Sequence, residues 1–123
     1  MPWTAGLDPE KPLVVTHYAG ELTPQDLQDA FVGTLELMTS SNRMRLLADC
    51  SQLKGGHTIA DFYYLADAIA AIPAGRRMRE AVLLPALPGS IEAVGFRETT
   101  CANRGLNVRV FDQRDAALAW LLE

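Results

Sequence analysis

Cysteine and histidine, the residues that most often bind zinc or form a nucleophile–base pair, are scarce in this sequence. The 123 residues include two cysteines, Cys50 and Cys101, and two histidines, His17 and His57. Neither pair has the short spacing of a metal-binding motif, so we expect no metal site. We interpret both cysteines as reduced, mostly buried thiols.

Positive charge and long apolar runs are also in short supply. Lys and Arg number 11 against 15 Asp and Glu, which gives a net charge of −4 and argues against nucleic acid as a partner. No apolar run approaches the roughly 20 residues of a transmembrane helix, so we expect no stable membrane insertion. Residues 1–6 lack the basic and apolar regions of a secretion signal, which favours a cytoplasmic location. Dinucleotide-binding and P-loop motifs are missing, so we expect no cofactor.

What remains is the composition of an ordinary folded protein, with 49 % apolar and 21 % charged residues. A chain of this length typically forms one domain, so we assign residues 1–123 to a single domain. Segments rich in β-branched and aromatic residues alternate with segments of helical periodicity. The predicted strands are residues 2–7, 13–18, 44–50, 80–84 and 106–111.

Four helices are predicted between and after these strands. The first has Thr23 as its N-cap and Pro24 in its first turn, and the polar residues 40–42 end it. The others are predicted to begin at Thr58, at Ser90, and at Asp112 or Gln113. Gly105 is expected just beyond the end of the third helix, where glycine is common.

The resulting element order is ββαβαβαβα. Strand–helix–strand units with short loops favour parallel pairing and right-handed crossovers. The first two strands instead form an antiparallel hairpin at one edge. We therefore predict an α/β fold: a single-domain sheet of about five strands, mostly parallel with an N-terminal antiparallel hairpin, and about four helices.

Three stretches of the sequence resemble the SpoIIAA-like family of small bacterial proteins, which is related to STAS and SEC14-type domains. Residues 18–23 (Tyr-Ala-Gly-Glu-Leu-Thr) resemble the strand end and helix entry of that family, and residues 46–51 (Leu-Leu-Ala-Asp-Cys-Ser) resemble its central strand. Residues 108–112, followed by 116–121, resemble its closing strand and helix. The resemblance spans nearly the whole chain and implies the SpoIIAA-like fold.

The resemblance also implies a function, that of a non-enzymatic regulatory or protein-interaction module with a protein partner or a second copy of itself in a homodimer. STAS regulators that are phosphorylated resemble one another in an Asp-Ser-Ser-Gly run at the start of the helix after the central strand. This chain has Gly-Gly-His-Thr-Ile at residues 55–59 instead. Thr58 alone offers a hydroxyl there, which makes it the candidate phosphorylation site.

The relation to SEC14-type domains implies an alternative function, the binding of a small amphipathic or lipid ligand. The helices carry large apolar side chains that either line a pocket or fill the core. These side chains are Phe31, Met38, Phe62, Tyr63, Ile69 and Phe96.

A ligand site is expected at the carboxyl edge of the predicted sheet, because open parallel sheets bind ligands there, near a switch in strand order. Residues 51–58, 85–90 and 112–114 lie at that edge. Backbone N–H groups of the two glycines before Thr58 can hold an anion at a helix N-terminus, unless they form only a flexible loop. The candidate ligand- or anion-binding residues are Ser51, Lys54, Gly55, Gly56, His57 and Thr58.

Catalysis has little support in the sequence. Cys50 and His57 could form a nucleophile–base pair, but strand alternation can turn Cys50 into the core and no third orienting group is evident. We therefore expect no catalytic residues. His17 is interpreted as a residue at the surface or at its boundary.

Five arginines and one tryptophan each allow two alternative interpretations of their role. Five arginines precede two of the parallel strands and would share the amino edge of the sheet: Arg43, Arg45, Arg76, Arg77 and Arg79. They favour either solubility and compensation of helix dipoles, or the binding of an acidic partner or a lipid headgroup. Trp3, on the predicted edge strand, either packs in the core or promotes self-association.

Overall fold

Five strands form one sheet in the computed structural model, which describes residues 2–55, 67, 69–71, 77–84 and 99–123. The strands are β1 (Trp3–Leu7), β2 (Val14–Glu21), β3 (Arg45–Gly55), β4 (Arg79–Leu83) and β5 (Asn107–Phe111). Two helices have both ends described, α1 (Pro24–Ser41) and α2 (Arg114–Leu121). The predicted α/β class and number of strands are confirmed.

The pairing of the strands also agrees with the prediction. β1 pairs antiparallel with β2, and β2, β3, β4 and β5 pair parallel to one another. The order across the sheet is the order along the chain, β1-β2-β3-β4-β5. The expected switch in strand order is therefore wrong for this sheet. The carboxyl edge carries no topological crevice of the kind found where strand order reverses.

The expected count of about four helices is not matched. Apart from α1 and α2, the described residues with helical backbone are Asp67, Ile69–Ala70, Arg77 and Thr99–Ala102. The predicted starts at Thr58 and Ser90 lie outside the described residues. Gly105 does follow a helical segment, with a φ of 74°. Its N–H donates to the carbonyl of Ala102, as in a glycine-terminated helix end.

Helix α1 has the ends that its sequence predicts. The Thr23 hydroxyl accepts a hydrogen bond from the Asp26 N–H at 3.1 Å, and the Asp26 carboxylate accepts one from the Thr23 N–H at 3.0 Å. These reciprocal bonds satisfy backbone donors that a helix start otherwise leaves open. Asn42 ends the helix in the left-handed conformation, with a φ of 56°.

The two faces of the sheet are covered unequally. On one side, called the α1 face, residues of β2–β5 pack against α1 and against the helical residues Ile69 and Cys101. On the other side, called the α2 face, α2 packs against a smaller cluster. Its buried members are Leu13, Leu47, Ala81, Ala117 and Leu121. Right-handed crossovers between parallel strands in sequential order lie on one side of a sheet, which agrees with the position of α1, Ile69 and Cys101 on the α1 face.

Trp3 packs against α1 rather than projecting from the sheet edge. It is partly buried against the α1-face core. A Cβ atom added at Gly33 of α1 would lie 2.8 Å from a ring carbon of Trp3. Of the two alternatives for Trp3, packing in the core is therefore the one observed.

Candidate functional site at the carboxyl edge of the sheet

The carboxylate of Asp49 lies at the carboxyl edge of the sheet, on the α2 face. Asp49 follows Leu47 by two residues in β3, so strand alternation places both on this face. Its Cα partners in the neighbouring strands are His17 of β2 and Leu83 of β4. The side chain is 8 % exposed. A carboxylate buried to this degree requires hydrogen bonds or charged partners.

Ser51 supplies two of these hydrogen bonds to a single carboxylate oxygen. Its backbone N–H donates to Asp49 Oδ1 at 3.0 Å, and its hydroxyl donates to the same oxygen at 2.6 Å. A carboxylate that accepts from the residue two positions further along is a common local motif of Asp. The Asp-Cys-Ser run of the sequence is therefore a hydrogen-bonded unit in the middle of β3, where the neighbouring strand β4 ends.

Two cationic or ionisable side chains from other elements approach the second oxygen. His17 Nδ1 of β2 lies 3.2 Å from Asp49 Oδ2, and Arg114 Nη1, at the first residue of α2, lies 3.4 Å from it. The side chains of His17 and Arg114 are 45 % and 48 % exposed. We call Asp49, Ser51, His17 and Arg114 the Asp49 cluster. It joins β2, β3 and α2 at one point of the sheet edge.

The Asp49 cluster favours the ionised carboxylate. Burial alone would raise the pKa of Asp49, but the hydrogen bonds from Ser51 and the charges of His17 and Arg114 outweigh it and lower that pKa below its ordinary 3.8. Asp49 therefore stays negatively charged near neutral pH. The cluster presents two nitrogen-bearing side chains around a fixed anion.

Asp49 is poorly suited to act as the base that activates Ser51 as a nucleophile. A base that activates a serine must accept the hydroxyl proton, and a carboxylate with a lowered pKa is a poor proton acceptor. Ser51 therefore donates a stable hydrogen bond to Asp49. The exposed parts of His17 and Arg114 can contact an acidic or hydrogen-bonding group of another molecule.

The structure brings only some of the sequence-predicted site residues to this cluster. Ser51 belongs to it, and Lys54 is exposed further along β3. Gly55, predicted as part of a loop, is instead the last residue of β3 and pairs with Glu21 of β2. Its backbone therefore belongs to the sheet, because β2 continues to Glu21 and gives β3 a partner. Gly56, His57 and Thr58 lie outside the described residues, as do residues 85–90.

Both cysteines lie in the protein interior, as the sequence predicts. Cys50 and Cys101 are buried and unbridged, and both belong to the α1-face core. Cys50 precedes Ser51 and follows Asp49, so alternation turns it to the opposite face of the sheet from the Asp49 cluster. His57, its suggested partner, lies outside the described residues.

Sequence reasoning missed two members of the Asp49 cluster, Asp49 itself and His17. His17 was expected only near the surface, and its partial exposure agrees with that. The signal that could have found both is the strand register: His17 and Asp49 are direct Cα partners in a parallel pair. Each follows an α2-face residue, Val15 or Leu47, by two positions. Arg114, by contrast, lies in a segment already predicted for this edge.

A second candidate site is a cavity between α1 and the sheet. Its volume is about 20 Å³, which is room for roughly one water molecule. The lining is mostly apolar, with the polar side chains of Tyr18, Thr34 and Glu80 among it. The other lining residues are Phe31, Leu35, Met38, Leu46, Ile69 and Met78. Three side chains suggested by the sequence for a ligand pocket, those of Phe31, Met38 and Ile69, thus line one cavity.

A metal-binding cluster and a membrane-spanning helix are both absent from the described part of the chain. Among those residues, no group of three or more metal-ligating side chains comes together. None of the helices in the same part of the chain has the length and apolar character to cross a membrane.

Comparison with known proteins agrees with the fold. The SpoIIAA-like family model matches residues 13–122. A similar solved structure is the crystal structure of an uncharacterised protein of the DUF3478 family with a SpoIIAA-like fold, from Shewanella loihica PV-4. It superposes with a TM-score of 0.57 at 16 % identity, over 97 % of this chain and 91 % of that chain. No curated protein matches this chain. Since the family model spans nearly all of the sequence, the chain belongs to the SpoIIAA-like family.

Proposed function

We propose that this chain is a non-enzymatic regulatory or protein-interaction module, and that its partner binds the carboxyl edge of the sheet at the Asp49 cluster. The observation that carries the proposal is the state of Asp49. Its buried carboxylate is held by Ser51, while His17 and Arg114 contact it and remain about half exposed. A partner that binds the exposed side chain of His17 or Arg114 therefore contacts residues that join β2, β3 and α2.

The partner surface can be tested by native mass spectrometry of protein purified gently from its own cells. Wild-type protein is compared with Arg114→Ala and with Gln28→Ala, a control at an exposed position of α1. We expect a stable partner mass, or a dimer mass if the partner is a second copy, with wild type and the control. Arg114→Ala should lose it.

Two results contradict this proposal. A wild-type protein that carries no partner argues against an interaction module. A partner that stays bound to Arg114→Ala as tightly as to the control places the interaction elsewhere on the molecule.

Regulation is proposed to act through phosphorylation of Thr58. A phosphate close to a helix N-terminus is electrostatically favoured, which is the reason for choosing this residue. Thr58→Ala should abolish the response of the partner to phosphorylation, and Thr58→Glu should imitate it. Partner binding that is unchanged by both substitutions would remove Thr58 from the proposal while leaving the interaction surface intact.

A second candidate function is the binding of a small amphipathic ligand, favoured by the mostly apolar lining of the cavity between α1 and the sheet. The cavity, at about 20 Å³, is far smaller than a small-molecule site, so a ligand must displace side chains that line it. Leu35→Trp would fill the cavity, whereas Val32→Trp adds the same bulk at an exposed position of α1. Extraction with organic solvent should then recover a ligand from wild type and Val32→Trp but not from Leu35→Trp. Recovery of no ligand from wild type would contradict this function.

A further inference from the structure

Three arginines and a tryptophan form a cationic surface at the amino edge of the α2 face. Arg45 of β3 and Arg79 of β4 are direct Cα partners in adjacent parallel strands. Arg109 of β5 is the partner of Ala81, two residues further along β4 on the same face. Trp120 of α2 lies over this part of the sheet. We call these four residues the arginine surface.

Trp120 holds two of the guanidinium groups in position. The Arg79 Cζ atom lies 4.2 Å from the centre of the indole ring, and the Arg109 Cζ atom lies 5.5 Å from it. Both distances are within the range of cation–π contacts. Arg79 and Arg109 are therefore ordered against one aromatic ring before any partner arrives, which reduces the entropy that binding must remove.

The positive charge of this surface is poorly compensated. Arg79 forms an ion pair with the Glu123 carboxylate, which lies 4.0 Å from Arg79 Nη2 and is 74 % exposed. An ion pair this long and this exposed contributes little. Arg45 and Arg109 form no ion pair with any residue that the structure describes. Two like charges in register across adjacent strands, as at Arg45 and Arg79, are themselves unfavourable.

Other arginines of the chain have closer hydrogen-bond or ion-pair partners than the arginines of this surface have. Arg43 donates to three backbone carbonyls, those of Asp8, Lys11 and Leu13. Arg104 forms an ion pair with Asp67 at 2.6 Å. The arginine surface is thus a local excess of positive charge in a protein of net charge −4.

We propose that the arginine surface docks an acidic segment of another protein, whose Asp and Glu carboxylates pair with Arg45, Arg79 and Arg109. Planar guanidinium groups match carboxylates through two parallel hydrogen bonds. An anionic membrane fits less well, because no large exposed apolar side chain among the described residues lies beside the arginine surface to insert into it. The exposed large apolar side chains of the described residues, Leu7 and Val32, lie elsewhere, on β1 and α1. This docking is independent of the interaction proposed at the Asp49 cluster, which lies at the opposite edge.

The test uses a fluorescein-labelled ten-residue peptide of alternating Glu and Gly, with binding measured by fluorescence anisotropy at low ionic strength. The variant Arg45→Gln/Arg109→Gln removes two charges but leaves Arg79 on Trp120. Gln28→Glu is the control, since it lowers the net charge by one, as Arg109→Gln does, at an exposed position of α1. Arg109→Gln alone serves as a milder variant, and thermal unfolding confirms that each variant is folded.

We expect the double substitution to weaken peptide binding by about fivefold or more, and Gln28→Glu to leave it nearly unchanged. Arg109→Gln should fall between the two. Equal weakening by Gln28→Glu and Arg109→Gln would overturn the proposal, because net charge alone would then explain the binding. Failure of the wild type to bind the peptide, or tighter binding to phosphatidylserine-containing vesicles than to the peptide, would overturn it as well.

Discussion

At the scale of single residues, buried polar side chains in this protein are held by specific partners. The hydroxyls of Thr16 in β2 and Thr34 in α1 lie 2.6 Å apart in the α1-face interior. Asp49 is held on the α2 face by Ser51, His17 and Arg114. Removing one partner of such a set leaves the other without a hydrogen bond in a place that water reaches poorly.

The Thr16–Thr34 hydrogen bond gives the first prediction. Thr34→Val should lower the free energy of unfolding by about 1–3 kcal/mol, because the Thr16 hydroxyl loses its partner. The double variant Thr16→Val/Thr34→Val should recover much of this loss, since both polar groups are then gone. Urea unfolding of the two single variants and the double variant measures the coupling. Losses that simply add would contradict a hydrogen bond between the two side chains.

The pKa of Asp49 gives a prediction about acid stability. Because its pKa in the folded protein is lower than in the unfolded chain, the unfolded chain binds more protons around and below pH 3.8. The stability that Asp49 contributes is therefore complete above its ordinary pKa and is lost as the pH falls through the lowered value. Asp49→Asn should give a shallower loss of stability between about pH 4 and pH 2.

This acid effect is measured by urea unfolding at a series of pH values. Asp26→Asn, at the start of α1, is a control at a carboxylate outside the Asp49 cluster. An Asp49→Asn profile parallel to that of wild type would contradict the stabilisation of the carboxylate.

At the scale of elements, close packing between β1 and α1 depends on one glycine. Gly33 lies under the indole ring of Trp3. Gly33→Ala would normally stabilise a helix, by about 0.5–1 kcal/mol. Here the added Cβ meets the far end of the indole ring at 2.8 Å, so the Trp3 side chain must move out of its packed position and the variant should instead be less stable.

The comparison that isolates this contact is Gly33→Ala in wild type and in a Trp3→Ala background. Thermal unfolding should show destabilisation in wild type and stabilisation when the ring is absent. Stabilisation in both backgrounds would contradict the close contact.

Arg43 gives another prediction at the scale of elements, because it lies just before β3 and donates hydrogen bonds to the β1–β2 turn. Its Nη1 atom donates to the carbonyls of Asp8 and Leu13, both at 3.0 Å, and to that of Lys11 at 3.2 Å. The sequence suggested Arg43 as part of a basic edge, whereas its guanidinium is used within the chain. Arg43→Ala should lower stability by about 1–3 kcal/mol and Arg77→Ala, at an exposed position, by less than about 0.5 kcal/mol. Chemical denaturation compares the two.

At the scale of the whole molecule, the local pattern of the sequence predicted the strands, the parallel pairing and the α1 caps. These features depend on residues close together in the chain, such as Thr23, Pro24 and Asp26. The length of β3 and the Asp49 cluster were harder to predict, because they depend on register. His17 and Asp49 meet only once β2 and β3 are aligned, and Gly55 joins the sheet only because β2 reaches Glu21.

The unequal covering of the sheet predicts where the whole fold is most sensitive. Leu121 is fully buried in the small α2-face cluster. Leu121→Ala should lower the free energy of unfolding by about 2–5 kcal/mol, whereas Leu122→Ala, at a half-buried position, should cost less. Urea unfolding measures both. Equal losses would show that α2 contributes to stability without specific packing of Leu121.

The sequential strand order also bears on how the protein forms during synthesis. The β1–β2 hairpin leaves the ribosome first, and each later strand can add to the growing edge of a sheet that already exists, a route of mainly local steps. Helix α2 is the last of these elements to be synthesised, so until then Leu13, Leu47 and Ala81 lack the cover that Ala117 and Leu121 give them. An incomplete nascent chain therefore displays a flat apolar surface. That surface is the part of the molecule that a chaperone would be expected to shield before translation ends.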